Sequence, residues 1–168
     1  YVLYAGYGQA GGASSSTVWP HEYYLQYSSY GKRLYAGGIY FNQYSCGNEL
    51  AGNSGTQLAG IGTLCHEYSH CLGLPDFYDT AGNNFGMSKW SVMDGGVYNN
   101  YTCVPCPYTA YERYLSGWLE PTELDGPTMV KDMRPITEHP DAYIIYNDGN
   151  RNEYFMLALT FGVYYAAK

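Results

Sequence analysis

The spacing of apolar and polar residues predicts short strands interrupted by two helices. Residues 1–5 are apolar or aromatic throughout and predict a buried strand. Residues 32–44 alternate weakly, which indicates one or two strands with Gly37-Gly38 as a turn or bulge. The clearest late strands are residues 142–146 and 153–158, and the polar residues 147–152 between them predict a hairpin loop.

A helical period appears in the middle of the chain, over residues 56–72. Ser54 or Thr56 is placed to cap the first turn of this helix. A stripe of apolar residues recurs at helical spacing and is expected to face the core: Ile61, Leu64, Tyr68 and Leu72.

A second, shorter helix is predicted within residues 105–119. Thr109 is its expected N-cap, and Gly117 is its expected stop. The 22 tyrosines and 21 glycines of the chain favour short strands and turns over a helical bundle.

The first helix carries an H-E-x-x-H motif that begins at His66. Residues four apart share one face of a helix, so His66 and His70 can direct two imidazoles at one metal ion. Glu67 lies about 100° further round the helix, beside the open side of such a metal. The motif therefore predicts two metal ligands and a neighbouring general base.

The residues that follow the motif predict a third ligand. Gly73 can adopt a positive φ and end the helix, and Pro75 prevents the helix from resuming. The reversed chain can then bring Asp76 back towards His66 and His70. Three protein ligands leave a fourth position on zinc for water, whose proton Glu67 would accept during attack on a peptide carbonyl.

Three further residues have more than one interpretation. His21 is either a packed or exposed histidine or a further residue of the site. Asp79 is a solvated turn aspartate, an acid that orients a ligand histidine, or a cation ligand with Asn83 or Asn84. Met93 is ordinary core or a hydrophobic floor beneath the metal.

The length and charge of the chain exclude several classes of protein. Its 168 residues suit one domain with a sizeable core, so we expect residues 1–168 to form a single domain. Because it opens in what resembles mid-strand, we expect it to be a piece of a longer protein.

The net charge of −7, without a basic patch, argues against a nucleic-acid partner. No apolar run approaches the roughly 18 residues of a membrane span, and nothing at the start resembles a signal peptide.

The chain has an odd number of cysteines. Cys65 and Cys71 lie on roughly opposite faces of the predicted helix, so they are not expected to bond to each other. Cys103-x-x-Cys106 suggests a zinc knuckle, but the second pair of a knuckle is missing. We therefore expect a disulfide that includes Cys46, Cys103 or Cys106, with no defined pairing.

Several segments together resemble the immune inhibitor A family of secreted bacterial metallopeptidases. The resemblance covers most of the chain and departs from the family pattern after Met156. Its specific part is the block 66–79, HEYSHCLGLPDFYD. The other matching segments are Tyr4–Gly8, Trp19-Pro20-His21, Trp90–Asp94, Gly117–Leu119 with Pro121, and Glu153–Phe155.

The resemblance implies an α+β fold: a metzincin-like zinc metalloprotease catalytic domain. Its mixed twisted sheet would pack on an active-site helix, with a smaller C-terminal part carrying a Met-turn and a second helix. The family's zinc ligands fall on His66, His70 and Asp76, its general base on Glu67, and its Met-turn on Met93. The resemblance also implies a protein or peptide substrate, an extracellular, periplasmic or cell-surface location, structural calcium and further domains of the same precursor.

Three questions stay open at this point. The oxyanion of the reaction needs a second donor besides zinc, for which Tyr98 and Tyr101 are candidates. One alternative function is a catalytically silent domain that binds polypeptide or glycan, although the intact Glu67 argues against it. Another is a structural zinc site closed by a fourth side chain, although Cys65 and Cys71, which flank the histidines, are expected to point away from the face of His66 and His70.

Overall fold

The computed structural model describes residues 1–160. The chain divides into two compact units, Tyr1–Cys106 and Pro107–Lys168. The segment after Met156, in which the sequence departs from the family pattern, continues into residues 161–168 and there lies outside the described residues.

The first unit is built on a three-stranded mixed sheet and a separate two-stranded hairpin. Its strands are β1 (Val2–Tyr7), β2 (His21–Tyr24), β3 (Leu34–Ala36), β4 (Ile39–Phe41) and β5 (Gln43–Leu50). The order in the sheet is β1-β5-β2, with β5 parallel to β1 and antiparallel to β2. Strands β3 and β4 pair only with each other among the strands of the described chain.

Strand β1 confirms the strand predicted at the start of the chain, but the prediction that it is buried is wrong. Val2 and Leu3 are exposed. The physical reason is that β1 lies at the edge of the sheet, pairs with β5 alone, and is left uncovered at these side chains by the rest of the described structure.

The first helix, α1, runs Gly62–Cys71 and packs on β5. It begins later than predicted because the chain first folds back along the end of the strand, where the Ala59 amide donates to the Glu49 carbonyl at 2.8 Å. Ser54 and Thr56 lie within this fold-back, so the prediction that one of them caps the helix is wrong.

The apolar stripe predicted for α1 exists, but it does not face a core. Its four residues are all exposed, between 40% for Leu72 and 57% for Ile61. The buried residues of the helix are instead Gly62 and Ser69. Small side chains let the helix backbone approach its neighbours closely, so α1 packs through its small residues, and the predicted orientation is wrong.

In the second unit, residues 107–160 form one α-helix and a three-stranded sheet. Its elements are α2 (Ala110–Leu115), β6 (Thr122–Glu123), β7 (Ala142–Asn147) and β8 (Asn150–Ala158). The order is β6-β7-β8, with β7 parallel to β6 and antiparallel to β8. Both late strands are confirmed, and the loop between them is a tight turn because Asn147 already pairs with Asn150.

Helix α2 confirms the second predicted helix and its signals. Thr109 is the N-cap, and Gly117 follows the helix with φ 71°, the left-handed conformation that glycine adopts without strain. The small core of this unit consists of Ala110, Leu119, Ile136 and Ala142, against which Met156 and Ala158 pack.

Short sheets and two helices confirm an α+β protein. The metzincin-like topology, the Met-turn and the single-domain organisation stay predictions. Within residues 1–160 no helix is long and apolar enough to cross a membrane.

Candidate metal centre

Helix α1 presents two imidazoles at one point, as the H-E-x-x-H spacing predicts. The Nε2 atoms of His66 and His70 lie 3.3 Å apart. The end of the helix is fixed to the sheet, since the side-chain amide of Gln43 in β5 donates to the His70 carbonyl at 3.3 Å.

The turn after α1 brings the third predicted ligand to the same point. Gly73 has φ 94°, and its amide donates to the His70 carbonyl at 2.9 Å, which ends the helix. The chain then reverses through the buried Leu74. Asp76 Oδ1 lies 3.3 Å from His66 Nε2 and 3.4 Å from His70 Nε2.

The hydrogen bonds of the two rings define which nitrogen faces the centre. His66 Nδ1 lies 2.9 Å from the Val92 carbonyl, and His70 Nδ1 lies 2.8 Å from the Leu74 carbonyl. A carbonyl oxygen only accepts, so each Nδ1 must carry the proton and donate it. In the neutral imidazole, the lone pair is then on Nε2, the atom that lies next to Asp76 Oδ1.

The carboxylate oxygen at the centre lacks an ordinary partner. Asp76 Oδ1 is buried and accepts no hydrogen bond from any residue of the described chain. Buried polar atoms are nearly always hydrogen-bonded, and an orphaned carboxylate oxygen beside two imidazole nitrogens fits a group that could hold a metal ion. Among the described residues, His66, His70 and Asp76 form the one group of three or more His, Cys, Asp or Glu side chains close enough to hold a metal ion.

Glu67 lies beside this group without belonging to it. Burial raises the pKa of Glu67 above its ordinary value, while the neighbouring His66 and His70 oppose that rise. The charge of Asp76 also raises the pKa of Glu67, and its role as a base stays a prediction from the sequence spacing.

Tyr78 is a neighbour of the centre that the sequence analysis missed. Burial raises the pKa of Tyr78, and so do the charge of the Asp76 carboxylate and a hydrogen bond to it. Tyr98 and Tyr101, the two tyrosines proposed from sequence, are 69% and 87% exposed. The signal for Tyr78 was its place two residues after Asp76 in the same returning segment.

Met93 is fully buried, and the backbone around it contacts both ligand-bearing segments. The Val92 carbonyl accepts from the ring of His66, and the Met93 carbonyl accepts from the amide of Phe77 at 2.9 Å, next to Asp76. A floor formed by the Met93 side chain stays a prediction.

His21 and Asp79 have other hydrogen-bond partners and are not members of the metal-binding group within residues 1–160. The ring of His21 contacts the Trp19 carbonyl at 2.6 Å and the Tyr44 hydroxyl at 2.9 Å. The carboxylate of Asp79 accepts backbone hydrogen bonds within its own turn, from Ala81 first, and these lower its pKa. These bonds favour the turn aspartate, and the rings of His66 and His70 are oriented by backbone carbonyls instead of by Asp79. The alternative of a cation ligand stays open.

The cysteines take no part in this centre. No disulfide forms among the five cysteines of the described chain, so the expected disulfide is not present. Cys46 is buried on the central strand, 3.4 Å from the ring of His21, whereas Cys103 is exposed. Cys65 and Cys71, on α1, are not members of the metal-binding group within residues 1–160.

Comparison with known proteins agrees with this picture. The model of the family described as immune inhibitor A peptidase M6, catalytic domain, matches residues 1–118. Immune inhibitor A of Bacillus thuringiensis subsp. alesti is 31% identical over 106 residues, which are 58% of this chain and 15% of that protein. No solved structure gave a significant match.

A second relative matches a shorter stretch at higher identity. The pre-pro-metalloprotease PrtV of Vibrio cholerae serotype O1, from strains M66-2 and ATCC 39315 / El Tor Inaba N16961, is 50% identical over 40 residues. Those residues are 23% of this chain and 4% of that protein. The chain thus spans a small part of the length of the curated relatives that it matches.

Proposed function

The chain belongs to the immune inhibitor A peptidase M6 family, and from that premise we propose that it is a zinc-dependent endopeptidase. His66, His70 and Asp76 would hold the metal, and Glu67 would serve as the general base. The observation that carries the proposal is the convergence of three lone-pair atoms, separated by 3.3, 3.3 and 3.4 Å, on one point.

These separations support zinc. Zinc binds imidazole nitrogen and carboxylate oxygen at about 2.0–2.2 Å with tetrahedral geometry, which places ligand atoms about 3.3–3.6 Å apart. Calcium takes six to eight oxygen ligands at about 2.3–2.6 Å and does not suit two imidazoles. Structural calcium elsewhere in the protein stays a prediction from the family resemblance.

Each side chain of the centre has a role in the proposed reaction. Bound zinc would lower the pKa of a water towards about 7 and polarise a substrate carbonyl. Glu67 accepts the proton of the attacking water and then donates it to the leaving amine. The Val92 and Leu74 carbonyls keep the protons of His66 and His70 on Nδ1.

Tyr78 supports the third ligand in this proposal. A hydrogen bond between Tyr78 and Asp76 contributes to the raised pKa of Tyr78, and Asp76 Oδ1 has no hydrogen-bond donor in the described structure. Tyr78 would therefore hold the carboxylate in the orientation that zinc requires.

The proposed substrates are proteins or peptides outside the cytoplasm, in the medium, periplasm or at the cell surface. This follows from the family and from the two relatives, whose names are immune inhibitor A and pre-pro-metalloprotease. The further domains expected of the precursor belong to the same proposal.

A quenched fluorogenic peptide library tests the proposal. Cleavage should stop when a zinc chelator is added and return when zinc is restored in slight excess. Cleavage that persists in chelator would contradict a metal-dependent mechanism. Peptide binding without cleavage, in protein that contains one zinc per chain, would favour the catalytically silent binding domain instead.

A further inference from the structure

The metal-binding helix α1 begins without a cap of its own. Its N-cap residue is Ile61, and α1 has no side-chain hydrogen bond at this cap. The amides at this end bond instead to Thr102, about 40 positions later in the chain. The Gly60 amide donates to Thr102 Oγ1 at 3.1 Å, and the Gly62 amide donates to the Thr102 carbonyl at 2.8 Å.

The close contact of Thr102 and Val97 with the start of α1 requires glycine at positions 60 and 62. A Cβ at Gly60 would overlap the carbonyl group and hydroxyl of Thr102, and a Cβ at Gly62 would overlap the Val97 carbonyl. Both neighbours include backbone atoms, which cannot swing aside as a flexible side chain can. The start of the metal-binding helix is therefore shaped to fit residues 97–102.

Thr102 adopts a backbone conformation that its side chain disfavours. Asn100, Tyr101 and Thr102 have φ of 47°, 54° and 66°, three consecutive left-handed residues. A β-branched residue is rarely found there, whereas glycine or asparagine would be less strained. Such strain persists where surrounding contacts over-determine the backbone, and it concentrates at functional sites.

The same segment contacts the metal centre at its other end. We name residues 92–102 the brace. At its start, the Val92 carbonyl accepts from His66 Nδ1 at 2.9 Å, and the Met93 carbonyl accepts from the Phe77 amide at 2.9 Å. At its end, Thr102 holds the start of α1. One continuous segment therefore contacts the helix that carries His66 and the return that carries Asp76.

We propose that Thr102 is a positioning residue of the metal centre, which anchors α1 to the brace so that His66 stays aligned with Asp76. The proposal rests on the proposed function, because it concerns the same metal ligands. Thr102 does not touch the ligands itself; it acts through the start of the helix, four residues before His66.

The test compares Thr102→Val, which removes the hydroxyl and keeps the shape, with Thr102→Ser, which keeps the hydroxyl. Thr109→Val is the matched control, because it removes the N-cap hydroxyl of α2 in the second unit. Cobalt is the metal probe: its affinity is measured by competition with a chelator, its ligand geometry from the visible absorption spectrum, and folding from thermal melting.

We expect Thr102→Val to weaken cobalt binding about tenfold, the lower end of the range for residues that orient metal ligands. Its cobalt spectrum should also change, and Thr102→Ser should restore both properties. Thr109→Val should lower the melting temperature and leave cobalt affinity and spectrum unchanged.

The proposal is overturned if Thr102→Val melts earlier yet binds cobalt with wild-type affinity and spectrum, since Thr102 would then be a structural cap only. If Thr102→Val does not fold, Thr102→Gly replaces it, because glycine relieves the positive φ while still removing the hydroxyl. Weaker cobalt binding with a changed spectrum then supports the proposal, and wild-type cobalt affinity and spectrum overturn it.

Failure of the proposed function is distinguished by a measurement on the metal-free chain. Imidazole ¹H–¹⁵N spectra report the tautomer and surroundings of His66 without any metal. A chain that binds no cobalt would refute the metal site, whereas a shift of the His66 signals in Thr102→Val, absent from Thr109→Val, would still support positioning. Unchanged His66 signals would refute it.

Discussion

The two α-helices of residues 1–160 begin in different ways. Helix α2 is capped within its own first turn: Thr109 Oγ1 accepts from the Glu112 amide at 3.2 Å, and the Glu112 carboxylate accepts from the Thr109 amide at 2.5 Å. Helix α1 is instead held by Thr102, whose carbonyl accepts from the first amide of the helix, Gly62, and whose hydroxyl accepts from the Gly60 amide just before it.

The two kinds of cap constrain their helices differently. A capping box satisfies the helix end with residues three apart, so it can form wherever its sequence occurs. A cap supplied from a distant segment fixes where the helix lies relative to that segment. The helix that carries the proposed metal ligands is the one whose position is fixed in this way.

The largest expected effect is on peptide cleavage, and it comes from replacing a glutamate by glutamine on each of the two helices. Glu67→Gln on α1 should reduce peptide cleavage about 10²–10⁴-fold, because a general base is lost while the amide keeps nearly the same shape. Glu112→Gln on α2 should keep full cleavage, because glutamine also completes a capping box. Initial rates with one fluorogenic peptide measure both, and near-normal turnover in Glu67→Gln would exclude its role as base.

The next effect concerns the segment after α1. Asp76→Ala should weaken zinc binding by more than about 100-fold, since even residues that only orient a ligand contribute 10–100-fold. Asp141→Ala, in the second unit, should leave zinc binding unchanged. Zinc content after dialysis against chelator measures both, and full retention by Asp76→Ala would remove Asp76 from the ligand set.

A smaller effect is expected for the local cap of α2. Thr109→Ala should lower the free energy of unfolding by about 1 kcal/mol, the usual contribution of an N-cap hydroxyl. Urea denaturation measures the change, and peptide cleavage should remain normal. A loss of cleavage that exceeds the loss of folded protein would contradict the separation between the two helices.

The smallest effect is a dependence of stability on pH in the second unit. Hydrogen bonds from the Arg134 side chain, and then from its amide, lower the pKa of Asp141 to about 2, below its unfolded value near 3.9. The stability of this pair is therefore complete above about pH 4 and is lost as pH falls through about 2. Arg134→Gln should reduce that dependence in thermal melts; identical wild-type and variant curves would show that the pair contributes nothing.

The features that could be predicted from the sequence are formed by residues close together in the chain. The H-E-x-x-H motif, the glycine turn and Asp76 are separated by a few positions each, so helical geometry and one local turn bring the three side chains together. The cap of α2 and the late hairpin were local in the same sense. The α+β class followed, whereas the start of α1 did not, because the fold-back after β5 competes with it.

What sequence could not predict depends on distant contacts. Thr102 has no local signal, since its partners Gly60 and Gly62 lie about 40 positions earlier. The apolar stripe of α1 was predicted to face a core because a helical period shows that apolar residues share one face of the helix. The period does not show whether another part of the protein covers that face. The hydrogen bonds of the histidine rings to Val92 and Leu74 likewise needed the folded backbone.

Zinc K-edge X-ray absorption on the zinc-loaded chain tests the central claim most directly. The account predicts one zinc per chain with only nitrogen and oxygen neighbours at about 2.0–2.2 Å, two of them imidazoles with their characteristic outer-shell scattering. Sulfur neighbours at about 2.3 Å, which cysteine ligation such as that of a structural site would produce, would contradict it, as would a chain that retains no zinc.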